Sequence, residues 1–270
     1  MTSNDCGAGT KPICELNACR GCGADSECEA KLGAEPGVCL GTEGGRCAGP
    51  ADVVYAENVP GKCNAGGPGT VASPYCGLAE AMAAAKSGGK AAVVLKGPQG
   101  VDRASYAGPG RLTLVGKGGA LILPGAGIGL EVTGGDLTAR NFTVQGAGQA
   151  GLVVRSGSAL ELAQAQVLDN KGGGILVDGG RLVARSSTVS GNGPGQFGAT
   201  TIWGGLLLNN PAAGTRLEGV SVVNNKTTGI SCSAAVEATG VLATGNPGVD
   251  IAAPCNFSSC GAAGPQCGAP

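Results

Sequence analysis

The sequence predicts an all-β solenoid in which short strands stack coil upon coil, with a short capping helix at one end and disulfide-rich segments at both. Three observations predict it. Of 270 residues, 53 are Gly and 15 are Pro while aromatics make up 3%, which excludes a large helical protein because both residues break helices. Five self-similar segments fill the middle of the chain. The cysteines are confined to the ends. A hydrophobic content of 42% and a net charge of −1 exclude disorder, which needs low hydrophobicity or strong self-repulsion. Collagen is excluded because Gly does not recur at every third residue.

Residues 1–50 are expected to form a Cys-rich leader stapled by disulfides. Cys6, Cys14, Cys19, Cys22, Cys28, Cys39, Cys47, Cys63 and Cys76 lie in the first part of the chain, Cys232, Cys255, Cys260 and Cys267 in the last. Segments too poor in apolar residues to build a core use such bridges in an oxidising compartment, so the protein is expected outside the cytoplasm, secreted or at the cell surface. The count of 13 is odd, leaving one thiol unpaired or paired outside the chain. Met1 is followed by polar residues, so an export signal is expected upstream or already removed. Cys19 and Cys22 have a spacing that zinc could use, but no second pair at matching spacing follows, and disulfides explain the cluster better. Cys63 with Cys76 suits a local bridge.

Residues 51–91 are expected to hold a lead-in loop and the capping helix. Leu78, Ala81, Met82 and Ala85 fall on one helical face, and Gly88-Gly89 ends it. A cap matters because an uncovered coil presents unpaired strand edges.

Residues 92–252 carry the repeats. Segments beginning at Gly129, Gly151, Gly174, Gly205 and Gly229 each hold three short stretches of period-two alternation, which suits three strands and not a helix. In the third segment the inward set is Ile175, Val177, Leu182, Ala184, Ser187 and Val189. In the fourth it is Leu206, Leu208, Leu217, Val220 and Val222. Such a unit cannot bury its strands alone, so units must stack with like residues above like, giving a parallel β-helix. One inward column is expected through Val132, Val154, Val177, Leu208 and Cys232. Asn170, Asn192, Asn225 and Asn246 recur at the end of the third strand, where an Asn in a left-handed turn can bond its stacked neighbour. Residues 253–270 are expected to form a Cys-rich cap over the last coil, tethered through Cys232 or its neighbours.

The Gly-aliphatic starts and the Asn-ended third strands resemble the right-handed parallel β-helix, or pectate-lyase-like, superfamily over residues 70 to 254. The helical stretch before the first coil is similar to the start of such domains. The leader resembles those of secreted or surface β-helix proteins of myxobacterial type. The resemblance implies a right-handed β-helix but no single activity, since the superfamily holds lyases, glycosidases, esterases, adhesins and scaffolds.

Charge and composition narrow the partners. With 18 Lys and Arg against 19 Asp and Glu and few aromatics, there is neither a basic footprint nor a stacking platform for nucleic acid. No apolar stretch is long enough for a transmembrane segment. The absence of His excludes His-dependent triads and imidazole metal ligation. The resemblance to lyases implies a calcium-binding acidic cluster on the outer face of the first strands, with Arg or Lys as base. That face presents Glu131 and Thr133, Val153 and Arg155, Leu176 and Asp178, Leu207 and Asn209, then Ser231 and Ser233. Glu131, Arg155 and Asp178 are therefore the candidate catalytic residues of a polysaccharide lyase or hydrolase, with Ca2+ as its cofactor. Two coils separate the carboxylates, about 9.6 Å by strand spacing, and Arg155 between them suits an ion-pair ladder better than a calcium site. The second-strand face alternates similarly through Arg140, Glu161, Arg181 and Arg185.

The favoured reading is a non-enzymatic extracellular scaffold, requiring no cofactor or metal, that binds a polysaccharide or a cell-surface protein. Its ligand site is expected where the one long insertion, residues 193–204, meets the first-strand face. Trp203 and Phe197 would be the anchors, with Asp178, Arg155 and Asn209 as polar groups. Alternatively the insertion folds back and buries Trp203 against Leu176 or Leu207.

Overall fold

A computed structural model describes residues 13–15, 18–33, 35–41, 45–100, 103–252 and 255. It is a β-solenoid of about seven turns. Each turn contributes one short strand to each of three parallel stacks. In the first stack Leu130, Leu152, Ile175, Leu206 and Ile230 lie in register, and beside them Val132, Val154, Val177, Leu208 and Cys232. Both columns point inward and are buried, as the alternation requires. The second stack aligns Ala139, Leu162, Ala184, Leu217 and Ala238, and the third Val144, Val167, Val189, Val222 and Ala243. Every inward residue assigned to the third and fourth segments is buried.

The stack begins earlier than the repeats indicate. The strand Val53–Glu57 pairs in parallel with Ala92–Gly100, which pairs with Ala104–Leu123. Residues 51–91 therefore hold a strand of the second stack as well as loop and helix. Helix α1 (Asp25–Leu32) belongs to the leader, and helix α2 (Leu78–Ser87) is the cap. Leu78, Ala81, Met82 and Ala85 of α2 are buried against the open end of the coil in one cluster with Val93, Leu95 and Leu114. Gly88 closes the helix, its N–H donating to the carbonyl of Ala84.

The asparagines form a continuous ladder. The backbone N–H and side-chain amide of Asn170 both donate to Oδ1 of Asn192, those of Asn192 to Asn225, and those of Asn225 to Asn246, all at 2.9–3.0 Å. Asp250 ends the run by accepting from both nitrogens of Asn246. The expected left-handed conformation belongs to the preceding residue in each turn: Asp169 (φ 51°), Gly191 (φ 71°), Asn224 (φ 53°) and Gly245 (φ 72°). That residue turns the chain, leaving the Asn free to face the interior and satisfy backbone groups that the turn would otherwise strand.

Disulfides join Cys22 to Cys39, Cys28 to Cys47, Cys63 to Cys76 and Cys232 to Cys255. The thiol of Cys22 is thus committed to a bridge and not to zinc, and the last bridge ties the chain beyond Ala252 to the final coils. The side chains of Cys14 and Cys19, together with Cys6, Cys260, Cys267 and most of the expected C-terminal cap, lie outside the described residues.

The leader packs on the outer face of the second stack. Val38 and Ala48 form an apolar cluster with Val53, Tyr55, Ala92, Val94 and Val115. Arg140 reaches Asp25 of α1 through Nε (2.8 Å) and Nη2 (2.5 Å) and also donates to the carbonyl of Cys39 at 2.7 Å. Lys117 pairs with Glu29, and Lys96 with Glu35. The alternating ladder expected along this face does not form as such. Arg140 is taken by the leader, and Arg185 pairs with Glu218 one coil on. Glu161 sits in register with Val183, not with Arg185.

Candidate functional site

The insertion 193–204 forms an antiparallel hairpin from Gly195–Phe197 and Thr201–Trp203. It branches from the turn after Asn192, and it folds back over the preceding coils. Trp203 lies in a cluster with Ile128, Ala150, Val153, Leu176 and Leu207, and Phe197 packs at the edge. The outward-facing apolar column of the first stack is therefore covered: Val153 is 1%, Leu176 8% and Leu207 5% exposed. The expectation of exposed residues there fails because the alternation locates the coil's outside without revealing what covers it.

Trp203 is likewise 1% exposed, so it is no free surface anchor. Its ring fits because the residues beneath it lack side chains. A Cβ on Gly173 would come within 2.4–2.6 Å of the ring, and Gly173 has φ of 105°, a conformation that glycine alone takes readily. The indole Nε1 is shielded and has no hydrogen-bond partner among the described residues.

Between the hairpin and the first-strand face lies a cavity of about 470 Å³. Its apolar lining is Ile128, Val153, Leu176, Phe197 and Trp203, and its polar lining includes Gln149, Arg155, Lys171 and Gln196. Phe197 is half-buried, while Gln149, Lys171 and Gln196 are exposed. Of the five residues expected at the ligand site, Trp203, Phe197 and Arg155 line this cavity; Asp178 and Asn209 do not. The hairpin leans away from them, and the Asn209 amide donates to Asp178 Oδ1 at 2.9 Å.

The candidate catalytic trio forms a chain of ion pairs. Arg155 Nε donates to Glu131 Oε1 at 3.0 Å and its Nη1 to Asp178 Oδ2 at 3.1 Å. Glu131, 2% exposed, also meets Arg103. A carboxylate buried between two guanidiniums is enclosed and already matched in charge, which suits neither contact with a sugar nor an open calcium shell. The one group of potential metal ligands among the described residues is Cys22, Cys28 and Cys39, all already in disulfides.

Sequence reasoning missed Arg103, Gln149, Lys171 and Gln196. Arg103 lies in an irregular stretch with no repeat to place it. Lys171 and Gln149 were within reach: they occupy the turns between the third and first strands one and two coils, respectively, before the hairpin, which itself replaces that turn in its own coil.

Stacked parallel strands around an apolar interior with an internal Asn ladder define a parallel β-helix protein. A family model described as "Right handed beta helix region" matches residues 126–268, more than half of the chain, and the chain belongs to that family. No curated protein and no solved structure matches it.

Proposed function

We propose that the chain is an extracellular β-helix scaffold that binds a glycan, without cleaving it, in the cavity beneath the 193–204 hairpin. The cavity is the observation that carries this reading. It has the size of a small-ligand site, a largely apolar lining and a few polar groups among it, the combination that orients a sugar. Phe197, half-buried, lines it, and Lys171 has no ion pair among the described residues. The enclosure of Glu131 and the use of Asp178 by Arg155 and Asn209 support binding over lyase chemistry. Four disulfides among the described residues support an oxidising location, and none of the described helices is long and apolar enough to cross a membrane.

Trp203 is the only Trp, so its fluorescence reports on this cavity alone. Titration with neutral and acidic oligosaccharides is expected to give a saturable change in emission. Phe197→Ala, which leaves the buried indole in place, should weaken binding about tenfold or more. Unchanged affinity in folded Phe197→Ala would remove the cavity as the site. Calcium-dependent accumulation of unsaturated sugar, followed by its ultraviolet absorbance and abolished by Glu131→Gln, would replace the scaffold reading with the lyase one.

A further inference from the structure

A second cavity, of about 570 Å³, lies between the leader and the outer face of the second stack. Its floor includes Thr138, Arg140, Glu161, Ala163 and Arg185, and its roof is the start of α1 around Ser26. The charges that line it are matched with one exception. Asp25 pairs with Arg140, Glu29 with Lys117, and Arg185 with Glu218. Glu161 has no ion pair and no side-chain hydrogen bond among the described residues, and its Oε2 is shielded from solvent. A carboxylate so placed has lost part of its hydration without receiving a partner, and a cation entering the cavity would supply one.

We propose that this cavity binds a sugar bearing a free amine, with the ammonium group held by Glu161. A divalent ion is a poor match, since calcium needs six or more oxygen ligands around one point and here there is one unmatched carboxylate. An isolated lysine head would leave most of the volume unfilled. A hexosamine fills more of it and presents hydroxyls to Ser26, Asn141 and Gln164, which line the same space. The site is separate from the hairpin cavity and independent of its function: no residue is common to the two linings.

The test is calorimetric titration of the full chain with the β-1,4 trimer of glucosamine and with its fully N-acetylated counterpart. The glucosamine trimer should bind and the acetylated one should not, and binding should fade as pH rises and the amine loses its proton. Glu161→Gln, nearly isosteric, should weaken binding by about tenfold or more, the usual scale for a lost charge-assisted hydrogen bond. Ala163→Leu, which fills the floor without removing a polar group, should block it independently. Phe197→Ala should leave it intact. Equal binding of both trimers, full affinity in folded Glu161→Gln, or binding of blocked lysine as tight as that of the trimer would overturn the proposal.

Discussion

Replacing Asn192 with Ala should be among the most damaging single changes outside the apolar core. Asn192 is fully buried. Its Oδ1 accepts from the backbone and side-chain nitrogens of Asn170, both at 2.9 Å, and its Nδ2 donates to the carbonyl of Val167 at 2.8 Å and to Oδ1 of Asn225 at 2.9 Å. Truncation strands the Asn170 N–H, takes from the Val167 carbonyl the donor it has besides its strand ladder, removes one acceptor from the Asn170 amide, and leaves a small void. A buried group left unsatisfied costs about 1–3 kcal/mol and each further lost hydrogen bond about 0.5–1.5 kcal/mol, so the loss should reach about 3–6 kcal/mol, a large share of the roughly 5–15 kcal/mol that stabilises a folded domain. Urea unfolding followed by far-ultraviolet circular dichroism, with the slope checked for loss of cooperativity, measures it. The thermal midpoint should fall by on the order of 10 °C. Asn246→Ala, at the end of the ladder and 7% exposed, should cost less. A loss below about 1 kcal/mol for Asn192→Ala, equal to that of an exposed turn residue, would show that the ladder is incidental to stability.

Four further outcomes follow from the same geometry. Gly173→Ala should displace the Trp203 ring and shift its emission to longer wavelength; an unchanged spectrum would mean that the ring does not rest on that backbone. Arg140→Ala removes three hydrogen bonds to the leader and leaves Asp25 unpaired, so limited proteolysis should release the leader faster while the solenoid unfolds as before. Loss of the Cys232–Cys255 bridge, which spans 23 residues, should cost about 3 kcal/mol by loop entropy, measured by unfolding the Cys255→Ser, Cys232→Ser double variant. In α1 the Arg20 hydrogen bond, with help from the Gly23 N–H, lowers the Glu27 carboxyl from 4.5 to about 2. A depressed carboxyl stabilises the fold above its unfolded value, so this contribution should be intact above about pH 4.5 and disappear as pH falls towards 2; a Glu27 titration near 4.5 by NMR would contradict it.

The parts of the fold that were legible are those governed by short-range periodicity. Val177 and Leu208 could be aligned because alternation fixes which face each strand residue takes and the recurrent Gly fixes where each coil begins. The ladder was legible because four Asn fell in one register. The α2 cap could be read from four apolar residues at helical spacing. The strand Val53–Glu57 was not, because it precedes the first recognisable repeat and its partner strand is 35 residues further on, past a disulfide loop and a helix.

The site was legible only in its location, and the reason is physical. An insertion that interrupts one coil must start at that coil's edge, so the hairpin's origin follows from counting. Its direction does not. Whether it leans over Leu207 and Asn209 or back over Val153 and Leu176 depends on which surface can receive an indole, and that was decided by the absence of a side chain at Gly173. In a chain with 53 Gly one more in a turn carries no visible signal, yet it sets the floor on which Trp203 rests. Burying that ring also covers the apolar column of the first stack, which an uncovered solenoid would expose as a patch prone to association. The same hairpin thus closes a vulnerable face and, by arching over Arg155 and Lys171 without filling the space between, leaves the cavity. A shorter turn in that coil, such as the three residues Lys226–Thr228 of the next, could do neither. Excising the hairpin should therefore remove both the covering and the binding, and the excised protein should self-associate in sedimentation measurements while the parent stays dispersed.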